Sequence, residues 1–271
     1  MNPYVKLLRI RGWYAFLCTA ILGFVISGGV TGPLVDILIF FLMVSVFLGF
    51  SFSINDSFDV AEDLQKKSRS NPVATGEVSQ DQAVTFSYSL ALAGTILSAW
   101  FGPVIFFYYV GLTLLSFFYS APPLRFKSRF PFDLLSHGLF FGSLILLLPA
   151  LIFGSLNTGV LLIAISIFFL SVTIELWNHI EDYESDVMAR LKTTVCVLGL
   201  EKSERIAKAL AVFFPLTLVP LYHSGVYFLP FVISTSVYVM IFIRKARPAV
   251  LYSYANLLYG VLLVLALLSS C

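Results

Sequence analysis

Apolar and polar positions alternate along this chain in long blocks. Nine apolar stretches cover approximately 13–31, 34–54, 82–101, 103–121, 134–154, 158–178, 205–222, 226–243 and 249–269. Each is close to the roughly 18–20 residues that carry a helix across a ~30 Å hydrocarbon core. The pattern predicts an all-α polytopic membrane protein with nine transmembrane helices. Composition agrees: 12% of the 271 residues are charged and 59% hydrophobic, whereas a soluble domain carries about a quarter charged. Mean hydropathy is +0.92.

The polar blocks are unequal. Lys6, Arg9 and Arg11 precede the first stretch, and Lys66, Lys67 and Arg69 follow the second. Arg125, Lys127 and Arg129 follow the fourth, and Arg190, Lys192, Lys202, Arg205 and Lys208 follow the sixth. Arg244, Lys245 and Arg247 follow the eighth, which completes all 17 basic residues on one side of a nine-helix count. The opposite loops, near Gly102, Gly154 to Gly159 and His223 to Gly225, hold none. The positive-inside rule therefore places the N-terminus and the charged loops in the cytoplasm and the C-terminus outside. A basic start leading into an apolar run also resembles a signal peptide, but removing it would discard a helix bearing Arg9 and Trp13. Cys18, Cys196 and Cys271 have neither metal-ligand nor disulfide spacing.

The cytoplasmic loops after the second, fourth and sixth stretches hold about 27, 12 and 26 residues. The outer ones are short, so function is expected at the cytoplasmic face, with the long loops folded as caps over a central cavity. Two four-helix halves, about 13–121 and 134–243, plus a ninth helix, are suggested by a duplicated motif. Asn55, Asp59 and Asp63 close the second stretch, and Asn178, Asp182 and Asp186 repeat the spacing 123 residues later at the end of the sixth.

On a helix, positions i, i+4 and i+8 share a face, so each triad projects one amide and two carboxylates together. Unpaired carboxylates are costly beside a membrane, and hard oxygen donors without accompanying His or Cys pairs favour Mg2+. Mg2+ is usually held by few carboxylates together with substrate phosphates, which suits two half-sites bridged by a diphosphate. Asp56 adds a carboxylate to the first triad, and Glu181 and Glu184 flank the second. Lys66, Lys67, Arg69, Arg125, Lys127, Arg190 and Lys192 would neutralise remaining phosphate charge. The competing account, solvated helix-end charges paired with nearby Lys and Arg, fits a single Asp better than a repeated triad.

Asn55-Asp56-Ser57-Phe58-Asp59-Val60-Ala61-Glu62-Asp63 resembles the first acidic signature of the UbiA superfamily of intramembrane prenyltransferases, and Asp182-Tyr183-Glu184-Ser185-Asp186 resembles the second. Segments Asn71–Gly76, Tyr119–Lys127 and Arg190–Gly199 are also similar to that family, so the resemblance covers essentially the whole chain. It implies a helical bundle around a central cavity and Mg2+-dependent transfer of a polyprenyl group from a polyprenyl diphosphate to a lipophilic acceptor, with release of diphosphate. Asn55, Asp56, Asp59, Asp63, Asp182 and Asp186 are then the expected metal ligands. Arg69, Lys127 and Lys192 are the first choices for diphosphate contacts, followed by Arg125, Lys66 and Arg190. Asp59 and Asp182 would act at the reacting centre, and Tyr119 would offer its ring to a carbocation.

Glu175 lies one turn inside the sixth stretch, where it either serves the acceptor or is a paired helix-end carboxyl. His137 and His179 are similarly open, and His223 reads as an interfacial residue. Partners are the donor, the acceptor and membrane lipid; no nucleic acid is expected. The acceptor itself, whether a quinone precursor, a chlorin or haem, or a prenylated glycerol phosphate lipid, is left open. A cation-coupled transporter using the acidic repeats is the alternative, although such a protein would place ionisable groups at mid-membrane.

Overall fold

The computed structural model describes residues 2–65, 71–154, 156–223, 227–244 and 247–270. Every predicted apolar stretch falls on a helix: α1 (Tyr14–Ile26), α2 (Leu34–Phe58), α3 (Gln80–Ser98), α4 (Pro103–Ser120), α5 (Phe132–Phe153), α6 (Thr158–Glu181), α7 (Leu200–Leu216), α8 (Phe228–Arg244) and α9 (Pro248–Ser270). Among the described residues no strand forms, and Arg129 and Lys192 make an isolated bridge. Among the described residues eight helical segments are long and apolar enough to cross a membrane, with α1 extended back to Pro3, α3 on to Phe101 and α7 on to Tyr222; α8, with 17 residues, is shorter. At 1.5 Å per residue it reaches about 26 Å, just under a ~30 Å core. The protein is an integral membrane protein.

Local sequence explains where the helices start and stop. Ser79 Oγ accepts from the Gln82 N–H while Gln82 Oε1 accepts from the Ser79 N–H, a capping box that starts α3. Asn157 caps α6 by accepting from the Val160 N–H at 2.9 Å. Between α3 and α4 the chain turns at Gly102, whose φ of +90° suits glycine, and Pro103 opens α4. Within α5, Gly138–Ser143 form a π-helical turn. A Cβ on Gly138 would lie 2.6 Å from Val172 Cγ2, so glycine permits α5 to press against α6 beside His137.

Burial is uneven among the helices, and that locates the centre of the bundle. The most apolar windows of α5, α2 and α6 are 67%, 56% and 56% buried, against 17% for the segment containing α3. Leu34, Leu38, Leu92, Ile96, Val104 and Phe107 are exposed on the outside, where lipid is their solvent. Without a hydrophobic drive between helices in lipid, contact depends on close packing and interhelical hydrogen bonds of about 0.6 kcal/mol each. Tyr109 Oη donates to Met43 O at 3.2 Å, Ser166 Oγ to Phe214 O at 2.8 Å and Tyr238 Oη to Ala211 O at 2.9 Å. One buried cluster, rich in Phe24, Phe40, Phe47 and Phe50, joins α1, α2 and α4; another, with Ile163, Ile167, Leu176 and Phe214, joins α6, α7, α8 and α9. α5 serves both, giving Phe140 and Ile145 to the first and Leu134 and Leu146 to the second. The central cavity opens along this seam.

Candidate active site

The two triads have the same backbone. α2 ends at Phe58, Asp59 adopts φ −97°, ψ 12°, and a short helix resumes over Val60–Gln65. α6 ends at Glu181, Asp182 adopts φ −90°, ψ 2°, and helix resumes over Tyr183–Met188. The expected uninterrupted helical face is thus corrected in both places, because the middle acid occupies the bridge region. Spacing survives the break: the Asp59 and Asp63 N–H groups still donate to Asn55 O and Asp59 O at 3.0 and 2.9 Å. Asp182 and Asp186 do the same to Asn178 O and Asp182 O, both at 2.9 Å.

Asn55, Asp59, Asp63, Asn178, Asp182 and Asp186 all line one cavity of about 450 Å3 at the seam. Lys127 reaches into it and donates to Asp59. Burial pushes the Asp59 carboxyl above its usual range, while the Lys127 ammonium acts in the opposite sense. Asp63 accepts from Asn71 Nδ2 at 2.7 Å, and Asp186 from Thr193 Oγ1 at 3.3 Å. The segments containing Asn71 and Thr193 belong to the loops expected to cap the cavity, and Leu191 and Thr193 line it.

Other expected residues are distributed differently. Asp56 is outside the cavity lining; it is 2% exposed and accepts from Arg9 Nη1 at 3.2 Å. Arg125 stands behind the first triad, donating to Phe58 O at 3.1 Å and to Glu62 Oε1 at 2.5 Å. Lys192 and Arg190 are exposed and do not line the cavity; the carbonyl of Lys192 instead accepts from the Phe130 N–H at 2.9 Å, joining two loops. Lys66 and Arg69 lie outside the described residues. Arg9 is a cavity residue that the motif reading passed over. Its guanidinium sits 5.1 Å from the Phe52 ring centroid and its backbone is left-handed, with φ 47°. Nothing in sequence spacing connects position 9 to position 55.

Deeper in the cavity lie Tyr119, Glu175, His137 and His179. Glu175 accepts from the Tyr119 hydroxyl and from Asn178 Nδ2 at 3.0 Å. His179 Nε2 and His137 Nε2 lie 3.3 and 3.5 Å from its two oxygens. Fully buried Asp133 faces His179 Nδ1 at 3.3 Å and accepts from the Thr194 N–H and, at 2.8 Å, from Thr194 Oγ1. A second, mostly apolar cavity of about 480 Å3 runs between α1, α6 and α9, and shares Gly12, Phe16, His137, Phe141 and Asn178 with the first.

The sequence profile of the UbiA prenyltransferase family matches residues 16–255. The chain belongs to this family. It is 30% identical over 218 residues to digeranylgeranylglyceryl phosphate synthase of Saccharolobus solfataricus, spanning 78% of this chain and 74% of that protein. It is 27% identical over 165 residues to the chloroplastic chlorophyll synthase of Oryza sativa, spanning 58% and 44%. A UbiA homologue from Archaeoglobus fulgidus, solved with DMAPP and Mg2+, shares the fold with a TM-score of 0.79 at 21% identity over 97% of each chain. A cation-coupled transporter finds no support in this membership.

UbiA-family chemistry implies Mg2+, and the donor set fits it. Among the described residues no three His, Cys, Asp or Glu side chains converge into a closed metal cage. Instead, two sets of one amide and two carboxylates border the same cavity. Such open, oxygen-only half-sites suit a cation that keeps waters and takes phosphate oxygens as its remaining ligands.

Proposed function

We propose that the protein transfers a polyprenyl group from a polyprenyl diphosphate to a lipophilic acceptor within the membrane and releases diphosphate. The observation that carries this reading is the junction of the two cavities: a polar one bordered by both triads continues into an apolar groove through Phe16, His137 and Phe141. An amphiphile with a diphosphate head and a hydrocarbon tail matches that change of lining. When bound, Mg2+ on Asn55, Asp59, Asp63, Asp182 and Asp186 would offset negative charge developing on the leaving diphosphate. Lys127 and Arg9 add positive charge from the side chains, and Phe16, Phe140, Phe141 and the Tyr119 ring limit water at the reacting carbon. The one-sided Lys/Arg distribution supports a cytoplasmic active site.

For the acceptor we favour a prenylated glycerol phosphate lipid over a quinone precursor or chlorin. Similarity to digeranylgeranylglyceryl phosphate synthase extends over 78% of the chain, against 58% for chlorophyll synthase. The test incubates purified protein with Mg2+, radiolabelled polyprenyl diphosphates and either a glycerol phosphate prenyl ether or a hydroxylated aromatic acid. Label is expected in the ether lipid with equimolar diphosphate release. Failure to release diphosphate from any donor would sink the transfer reading, and label in the aromatic acid alone would overturn the acceptor.

A further inference from the structure

A helix leaves its last four carbonyls without backbone donors of its own. At the end of α2 the Asp59 N–H takes that of Asn55 at 3.0 Å, and side chains from three other segments take the rest. Asn71 Nδ2 donates to Asp56 O at 2.8 Å, Gln80 Nε2 to Ser57 O at 3.0 Å and Arg125 Nη2 to Phe58 O at 3.1 Å. Asn71 does one thing more: its amide also donates to a triad acid, Asp63 Oδ2, at 2.7 Å. Its oxygen accepts from the Val73 N–H at 2.9 Å, so donor and acceptor ends of this buried side chain are both engaged. The loop behind it is itself built in, with Val73 and Val78 buried against Leu7 and Ala83, and Lys6 paired with Glu77.

Asp63 stands on the short helix Val60–Gln65, beyond the break at Asp59, so α2 alone does not fix its direction. Asn71 spans that break, with one hydrogen on the α2 carbonyl and the other on the Asp63 carboxylate. A neutral amide achieves this without adding positive charge that would oppose a bound cation, unlike Lys127 on Asp59. Thr193 makes the corresponding contact on the other side: a buried residue of the second capping loop, it donates from Oγ1 to Asp186 Oδ2 at 3.3 Å. Building on the prenyl-transfer reading, which places Asp63 and Asp186 among the Mg2+ ligands, we propose that Asn71 is the positioning residue that aims Asp63 at the first half-site, and that Thr193 does the same for Asp186 at the second. Each capping loop thereby sets the last acid of its triad, and a group that orients a metal ligand in this way contributes about 10–100-fold in metal affinity.

The test is the Mn2+ dependence of binding of a prenyl thiodiphosphate, a donor analogue whose C–S bond does not ionise, to the purified full chain. Asn71→Ala should raise the half-saturating Mn2+ concentration by about thirtyfold, and the isosteric Thr193→Val by about tenfold. On an Asp63→Ala background, Asn71→Ala should add less than about twofold, because its effect runs through the missing carboxylate. Gln80→Ala removes a neighbouring cap of the same helix end without touching an acid, so it should lower the melting temperature and leave the half-saturating Mn2+ within about twofold of the parent. The proposal falls if Asn71→Ala binds Mn2+ like the parent, if its effect adds in full to that of Asp63→Ala, or if Gln80→Ala shifts Mn2+ binding as far. Should Asn71→Ala fail to fold, Asn71→Ser, which keeps a shorter donor, carries the same test, and parental Mn2+ binding by both Asn71→Ser and Thr193→Val overturns the proposal. A parent that binds the analogue equally with and without Mn2+ overturns the metal reading together with this role, whereas Mn2+-dependent binding with an indifferent Asn71→Ala overturns this role alone.

Discussion

The two triads share spacing and backbone and differ in what surrounds them. Three residues before Asn55 stands Phe52, under the Arg9 guanidinium; three residues before Asn178 stands Glu175, hydrogen-bonded to Tyr119 and flanked by two histidines. The first triad is bordered by Arg9, Arg125 and Lys127 on Asp56, Glu62 and Asp59. Beneath the second lies a buried chain of Asp133, His179, Glu175 and His137. A repeated local geometry therefore has different surroundings: cations border the first triad, and a buried polar cluster lies beneath the second. Local hydrogen bonding sets the likeness; the packing of other helices sets the difference.

The largest expected effect tests the likeness. Asp59→Ala and Asp182→Ala should each lower prenyl transfer by about a thousandfold, ~4 kcal/mol, as measured by diphosphate release at saturating Mg2+. Retention of parental activity by one of them would show that the triads are not equivalent partners. Next comes stability, where the sides should diverge. Asp133→Ala strands Thr194 and His179 and should cost about 3 kcal/mol in reversible unfolding in detergent. Asp56→Asn, whose partner Arg9 has a side chain 47% exposed, should cost about 1 kcal/mol or less.

A smaller contrast separates cations that line the cavity from those that do not. Lys127→Met should raise the donor KM about thirtyfold, ~2 kcal/mol, while Lys192→Met should stay within about twofold. Equal effects would mean that the exposed Lys192 reaches the diphosphate. The smallest effect lies at the rim, where Lys6 Nζ donates to Glu77 Oε1 at 2.7 Å and holds that carboxyl below its ordinary range. A lowered folded pKa gives stabilisation that is present above the unfolded carboxyl value and lost as pH falls through the folded one. Melting temperatures of the parent and Glu77→Gln should therefore differ slightly near neutrality and converge as pH falls through the lowered folded value. Divergence on acidification would reverse the assignment.

Much of the fold was legible because a bilayer imposes one length scale and one polarity on every spanning helix. The stretch read at 158–178 extends to Glu181 because Asn178 and its neighbours continue the helix as polar residues. Such an extension carries no hydropathy signal. The triads were legible because i+4 spacing is a property of local backbone. Their break at Asp59 and Asp182 was not, since nothing in the residue pattern distinguishes a continuous turn from one interrupted at the middle acid.

The contributions of Lys127 and Lys192 show the limit on charged loops. Both follow apolar stretches and both read as diphosphate ligands, yet Lys127 points into the cavity and Lys192 contributes its carbonyl to a loop contact. Asp133, a lone acid at the start of α5, gave no motif at all; its place against His179 and Thr194 comes from segments 46 and 61 residues away. Sequence by itself determined the membrane class, the helix positions and the duplicated acidic spacing, all of which follow from local periodicity and the cost of burying charge. Tertiary structure decided which side chains share the cavity and which partners Glu175 has, because those contacts join helices whose separation along the chain carries no periodic signal.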